Sequence, residues 1–135
     1  MKYLLDVNVL VALGFSEHEF HGHVARWALS LEATDAVLAT CPVTEMGFVW
    51  VLAQTAQYGL SVAEAKDLLR EVKETFPVSF EFIADDHGVS HLPWWVRAPK
   101  QISDGHLAQL AKSKGAEFAT LDRGIPGAFQ IPLQA

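Results

Sequence analysis

The sequence predicts an α/β domain built on a mainly parallel sheet, and three observations carry that prediction. Short apolar runs of strand length occur at 2–5, 36–40, 78–83 and 116–121. Between them lie segments with helical apolar spacing or helix-start signals. Strand and helix segments therefore alternate along the chain, which is the pattern of parallel strands joined by helical crossovers.

Each element has its own reason. Residues 2–5 form a buried strand that ends at a carboxylate, Asp6, and a short helix over 8–13 follows at once. Phe20, Val24, Trp27 and Leu31 recur at helical spacing and predict a helix over 17–31. After the strand at 36–40, Pro42 suits the first turn of a helix directed towards Tyr58, with Gly59 as its C-cap. Ser61 and Glu64 match a capping box opening a helix that reaches Thr75. Val78 to Ile83 alternates as a strand does. The stretch 84–102, with a glycine, two prolines and the pair Trp94-Trp95, reads as loop. Ser103 is placed to cap a helix running to Lys114 and closed by Gly115. Residues 116–121 form the last interior strand, and 129–131 a short edge strand.

Composition narrows the function classes. At 135 residues the chain is expected to form one domain, 1–135, and an apolar fraction of 50% with 19% charged residues is a globular balance. The single cysteine, Cys41, excludes an internal disulfide, and no cysteine cluster points to zinc; a buried thiol is expected. Asp6 and Asn8 interrupt the apolar N-terminus, and nothing approaches the roughly 20 apolar residues of a membrane span. A cytoplasmic protein with no membrane association is expected. A formal charge of −6 argues against a protein that coats nucleic acid through basic stripes. It argues less against a nuclease, which can recruit its substrate through bound metal.

Four acids carry the candidate chemistry. In an open parallel sheet, strand C-termini and the starts of the following helices share one edge, where ligands bind. Asp6 ends the first strand, Glu45 lies in the first turn of the helix after the second, Asp104 begins the helix before strand 116–121, and Asp122 ends that strand. Two carboxylates about 4 Å apart repel by about 4 kcal/mol at an effective dielectric near 20. Four together would take up protons or bind cations, and an all-oxygen set suits Mg²⁺ or Mn²⁺. Such an ion can activate water and stabilise charge on a phosphodiester. Taken singly, Glu45 and Asp104 also fit the ordinary role of acids at helix N-termini.

With those residues in place, the chain resembles the PIN-domain proteins, and among them the VapC-like toxins of type II toxin–antitoxin modules. The resemblance spans essentially the whole length. It is carried by Leu4-Leu5-Asp6-Val7-Asn8-Val9-Leu10, Thr44-Glu45, Ile102-Ser103-Asp104 and Phe118-Ala119-Thr120-Leu121-Asp122-Arg123-Gly124 in that order. It implies a three-layer α/β/α fold with a central, mainly parallel sheet of four to five strands. It further implies Mg²⁺- or Mn²⁺-dependent endonucleolytic cleavage of RNA, with Asp6, Glu45, Asp104 and Asp122 as metal-binding catalytic acids and Asn8 and Thr120 as supporting groups. The partners it implies are an RNA substrate, a second copy of the chain and a cognate antitoxin. Val7 departs from the Thr or Ser common in such proteins, and Gly105-His106 from a small residue followed by an aromatic.

Other features are secondary. Arg123 and His106 are candidates for substrate contact, although an exposed helical position is expected for His106. His18, His21 and His23 read as solvated residues at a helix start rather than as a metal cluster. Trp94 and Trp95, near Arg97 and Lys100, could stack on bases but are expected to pack in a core or against a partner. Phe48, Trp50, Val51 and Leu52 make their helix apolar on more than one face, as at a dimer interface. Two alternatives stand beside the nuclease: a haloacid-dehalogenase-like phosphatase, which wants an acid where Asn8 stands, and a PIN-like binding module without activity. A Rossmann cofactor domain lacks its Gly-rich loop.

Overall fold

The structure is a computed structural model and describes residues 1–133. Strands β1 (Lys2–Leu5), β2 (Val37–Thr40), β3 (Phe80–Phe82), β4 (Ala116–Thr120) and β5 (Phe129–Gln130) form one sheet in the order β3-β2-β1-β4-β5. Every pairing is parallel. Such sheets are covered on both faces, so the central parts of their strands are mostly apolar. Alternation along β1 and its neighbours divides the core accordingly. Leu5, Leu38 and Ala119 face a layer formed by α1 (Val7–Gly14), α2 (His21–Ser30), α3 (Pro42–Gln54) and α4 (Val62–Thr75). Leu4, Ala39 and Phe118 face α5 (Ile102–Ser113), through Leu107, Leu110 and Ala111. This is the three-layer α/β/α arrangement the sequence implied, with five strands.

Several boundaries differ from the sequence reading, each for a local reason. α2 begins at His21 rather than near residue 17, because residues 15–21 close turns instead: His18 N donates to Phe15 O and His21 N to His18 O, both at 3.0 Å. The His18 ring also accepts from Phe20 N at 3.0 Å, a side-chain bond that competes with helix. α3 stops at Gln54, five residues short of Gly59. The chain must turn there so that Tyr58 can meet Phe15 edge-on, with ring centroids 4.8 Å apart. Ser61 caps α4 as read, accepting from Glu64 N at 3.0 Å. Ser103 does not cap α5. A 3₁₀ turn at Pro99–Gln101 brings the chain into helix two residues earlier, with Gln101 at the N-cap position, and the Gln101 Oε1 accepts from Arg97 N and Ala98 N. Gly115, with φ +70°, ends α5 in the left-handed region, where glycine has no Cβ penalty.

The sheet order fixes where the carboxyl edge lies. β1 is central, flanked by β2 and β4, so residues just past Leu5, Thr40 and Thr120 emerge side by side. Asp6 N extends the ladder by donating to Ala119 O at 2.9 Å. Among the described residues no helix is long and apolar enough to cross a membrane.

Candidate functional site

Asp6 leaves β1 in an extended conformation and becomes the N-cap of α1. Its Oδ1 accepts from Val7 N and its Oδ2 from the Thr120 hydroxyl, both at 2.7 Å. Only 7% of Asp6 is exposed. The cap role predicted for acids at other helix starts therefore applies to Asp6 as well, but it uses one oxygen. Burial raises the Asp6 carboxyl above its usual range; the bonds from Thr120 and Val7 oppose this, and the Asp122 charge adds to it.

Thr120 is fully buried and serves two acids: its Oγ1 donates to Asp6 and accepts from Asp122 N at 3.0 Å. Asn8 ties α1 to the exit of β4, its Oδ1 accepting from Leu121 N at 3.3 Å. Asp122 lies two residues past the end of β4 and is exposed, not the terminal residue of the strand. Its Oδ1 accepts from Gly124 N at 2.8 Å, which folds the following turn around it.

Asp104 is the third residue of α5. Its carboxyl is pushed up to about 6, first by burial and then by the charges of Asp6 and Asp122. That shift is the electrostatic signature of convergence: three acids from three segments of the chain feel one another's charge. Gly105 helps place Asp104. A Cβ at this position would meet Val96 Cγ2 at 2.2 Å, so the absence of a side chain lets the 93–96 segment lie against the start of α5.

Glu45 is different. It stands in the first turn of α3, and its Oε2 accepts from Thr40 Oγ1 at 2.6 Å and from Lys73 Nζ of α4 at 2.5 Å. It therefore has a cation of its own in Lys73. The structure brings Asp6, Asp104 and Asp122 into one electrostatic group and sets Glu45 beside it in an ion pair.

His106 is not exposed as expected. Its Nε2 lies 2.5 Å from Asp85 Oδ2, with both side chains largely covered. Burial pushes the Asp85 carboxyl up, but the bonds from His87 N and His106, with the charges of both imidazoles, outweigh it and hold the group low. His106 thus anchors α5 to the loop after β3. Arg123 is exposed, beside Asp122. His18, His21 and His23 are half-buried rather than solvated; His21 Nδ1 lies 2.8 Å from Ala12 O. Trp95 packs on the α5-side core while Trp94 is 80% exposed. Cys41 is a buried free thiol.

Lys73 and Asp85 are the site residues that sequence reasoning missed. Each lies far along the chain from its partner and in a segment read only for secondary structure. No local signal marks either; only the packing of α4 on α3, and of the loop on α5, pairs them.

Oxygen donors of three aspartates suit a hard divalent ion, and the raised Asp104 carboxyl shows an excess of negative charge that a cation would relieve. Among the described residues no three acids, histidines or cysteines converge closely enough to hold one ion as they stand. The donor chemistry fits; the side chains would have to close on the ion.

A parallel α/β/α sandwich with aspartates gathered at the carboxyl edge of its central strands defines a class of acidic-edge α/β domains. Residues 3–128 match the PIN domain, and the chain belongs to that family. It is similar to ribonuclease VapC29 of Mycobacterium tuberculosis, with 36% identity over 132 residues, covering 93% of this chain and 89% of the relative. It is also similar to ribonuclease VapC38 of the same organism, at 34% identity, covering 90% of this chain and 86% of that one. Among solved structures, VapC20 of M. tuberculosis, described as a sarcin–ricin loop cleaving toxin, superposes with a TM-score of 0.60. That match is 16% identical and covers 88% of this chain and 87% of the other, a likeness of fold.

Proposed function

We propose that the chain is a divalent-metal-dependent endoribonuclease and the toxin of a toxin–antitoxin pair. The observation that carries this reading is the placement of Asp6, Asp104 and Asp122, after β1, at the start of α5 and after β4, at the carboxyl edge of a PIN-family sheet. Support comes from relatives named as VapC ribonucleases over most of the chain. Asp6, Asp104 and Asp122 would hold Mg²⁺ or Mn²⁺, with Glu45 beside them at the same edge. A divalent ion bound there supplies Lewis acidity that lowers the pKa of water and offsets charge on the phosphodiester.

The chain's own residues do the rest. Thr120 and Val7 N pin the two Asp6 oxygens in place, so this acid is preorganised. The same Thr120 hydroxyl fixes the backbone of Asp122, so one buried group sets two acids together. Gly105 and the His106–Asp85 bond hold the α5 start that carries Asp104. RNA is the substrate class, with Arg123 beside Asp122 as a candidate phosphate contact.

A cognate antitoxin and a second copy of this chain are the partners of the proposal. The exposed Met46 and Trp50 of α3 are apolar surface of the kind that interfaces use. Light scattering would return a two-chain mass, and a one-chain mass would remove the dimer. The activity itself is tested by incubating purified protein with total cellular RNA and Mn²⁺. Discrete cleavage products are expected, absent in Asp6→Asn and in excess chelator. Cleavage that persists in chelator would overturn the metal-dependent reading, and no cleavage under any divalent ion would favour a binding module.

A further inference from the structure

Resting on the ribonuclease reading, we infer that segment 94–101 and the outer face of α5 form a subsite for the single-stranded RNA flanking the cleaved bond. Trp94 is its base-stacking surface, and Arg97, Lys100 and Lys112 are its phosphate contacts. The two adjacent tryptophans have opposite surroundings: Trp95 packs on the α5-side core, whereas Trp94 is 80% exposed. The exposed indole is held on a braced turn. Gln101 Oε1 accepts from Arg97 N at 2.8 Å and from Ala98 N at 3.0 Å, and Val96 N donates to Pro93 O at 3.1 Å. The missing side chain at Gly105 lets Pro93 and Val96 lie directly on α5, one residue past Asp104. The segment is thus a shelf fixed to the helix that carries one of the acids.

The cations on this side are free to meet a polyanion. Of the ten lysines and arginines, Lys2, Arg70, Lys73 and Lys114 stand in ion pairs. Among the described residues Arg97, Lys100 and Lys112, all exposed, have no ion-pair partner. Trp94 and Lys112 line one cavity of about 640 Å³, together with Trp95, Gln109 and Glu117. An aromatic ring with an amide and charges of both signs around a space of this size suits a nucleobase and its phosphate. Glu117 is the acid in that lining, and its carboxylate can accept from a base amino group. Ala108 and Lys112, which line the same cavity, lie one and two turns past Asp104, about 6 and 12 Å along the helix axis at 1.5 Å per residue. The cavity is therefore placed for nucleotides next to the reacting phosphate, not for that phosphate itself. In a chain of charge −6, unpaired cations around an exposed indole are the local attraction a single strand requires.

The test follows binding of a fluorescein-labelled mixed-sequence RNA dodecamer by anisotropy across a salt series, in the cleavage-deficient Asp104→Asn background. Each variant is checked for folding by circular dichroism. Adding Trp94→Ala should weaken binding by about tenfold with the salt slope unchanged, and Trp94→Phe should keep most of the affinity. Arg97→Gln/Lys100→Gln should lower the slope by roughly 1.4, two phosphate contacts at about 0.7 each on a single strand, and Lys112→Gln by roughly 0.7. Unlabelled RNA should quench tryptophan fluorescence in the parent and in Trp50→Phe, and much less in Trp94→Phe, a readout that a merely structural role would not move. Wild-type protein that cleaves RNA, with affinity unchanged in Trp94→Ala or slope unchanged in Arg97→Gln/Lys100→Gln, would overturn this inference alone. Unchanged RNA binding in Trp94→Ala with a two-chain mass that falls to one chain would overturn it in favour of a second copy of the chain. Wild-type protein that neither binds nor cleaves RNA would sink the ribonuclease reading, and this inference with it.

Discussion

Replacing Asp104 by Asn should stabilise the metal-free protein at neutral pH while removing its response to divalent ions. The Asp104 carboxyl is raised from 3.8 to about 6, by burial and by the charges of Asp6 and Asp122. At 1.36 kcal/mol per pH unit that shift corresponds to an upper bound of about 3 kcal/mol for carrying the charge in the folded state. Asp104 is half-buried, so solvent screening reduces this to roughly 1 kcal/mol. For a domain of this size that is an increase of about 3–5 °C in melting temperature. Because the folded value lies above the unfolded one, the native state binds the extra proton between about pH 4 and 6. Wild-type stability therefore falls as pH rises through that window, and the advantage of Asp104→Asn grows through it and levels off above it. The assay is thermal unfolding from pH 4 to 8, with and without Mn²⁺. Metal should raise the wild-type melting temperature at pH 7.5 and leave the variant nearly unmoved. A variant less stable than wild type at pH 7.5 without metal would refute the charge-crowding argument.

Three further predictions follow from the same geometry. Thr120→Val removes the donor to Asp6 and the acceptor of Asp122 N, so urea denaturation should show a loss of about 1–3 kcal/mol, and RNA cleavage should fall with it. Gly105→Ala places a Cβ against Val96 and should cost about 1–3 kcal/mol, largely recovered in Gly105→Ala/Val96→Ala; additive losses in that double-mutant cycle would exclude the contact as the cause. Asp85 is held low in the folded state, so it contributes stability above its unfolded value near 4 that is lost as pH falls through the folded value. Asp85→Asn should accordingly be destabilised by about 1–2 kcal/mol at pH 7 and converge with wild type in strong acid, as read by chemical denaturation at both pH values.

The fold was legible because its signals are local and repeat. Apolar strand segments separated by helices needed a parallel sheet, and Pro42, Ser61 and Gly115 act at the positions their chemistry suits. Boundaries slipped where side chains far apart in sequence intervene, as where Tyr58 turns back onto Phe15. Asp6, Asp104 and Asp122 could be placed at one edge because sheet order and strand direction alone bring them there. Their charge coupling follows from that placement. Glu45 was placed at the same edge, but its partner could not be read. Lys73 reaches it across 28 residues, and only the packing of α4 on α3 decides that contact. His106 was misjudged for the same reason: Asp85, which covers it, lies in a loop without periodicity.

The acidic edge as a metal-dependent RNA-cleaving site is the central claim, and one measurement tests it most directly. Purified wild type and Asp6→Asn are incubated with total cellular RNA in Mn²⁺, and the 5′ ends formed are mapped. The account predicts discrete cleavage positions for the wild type, lost in Asp6→Asn although circular dichroism shows it folded, and lost on chelation. Equal cleavage by Asp6→Asn, or cleavage indifferent to chelator, would contradict it.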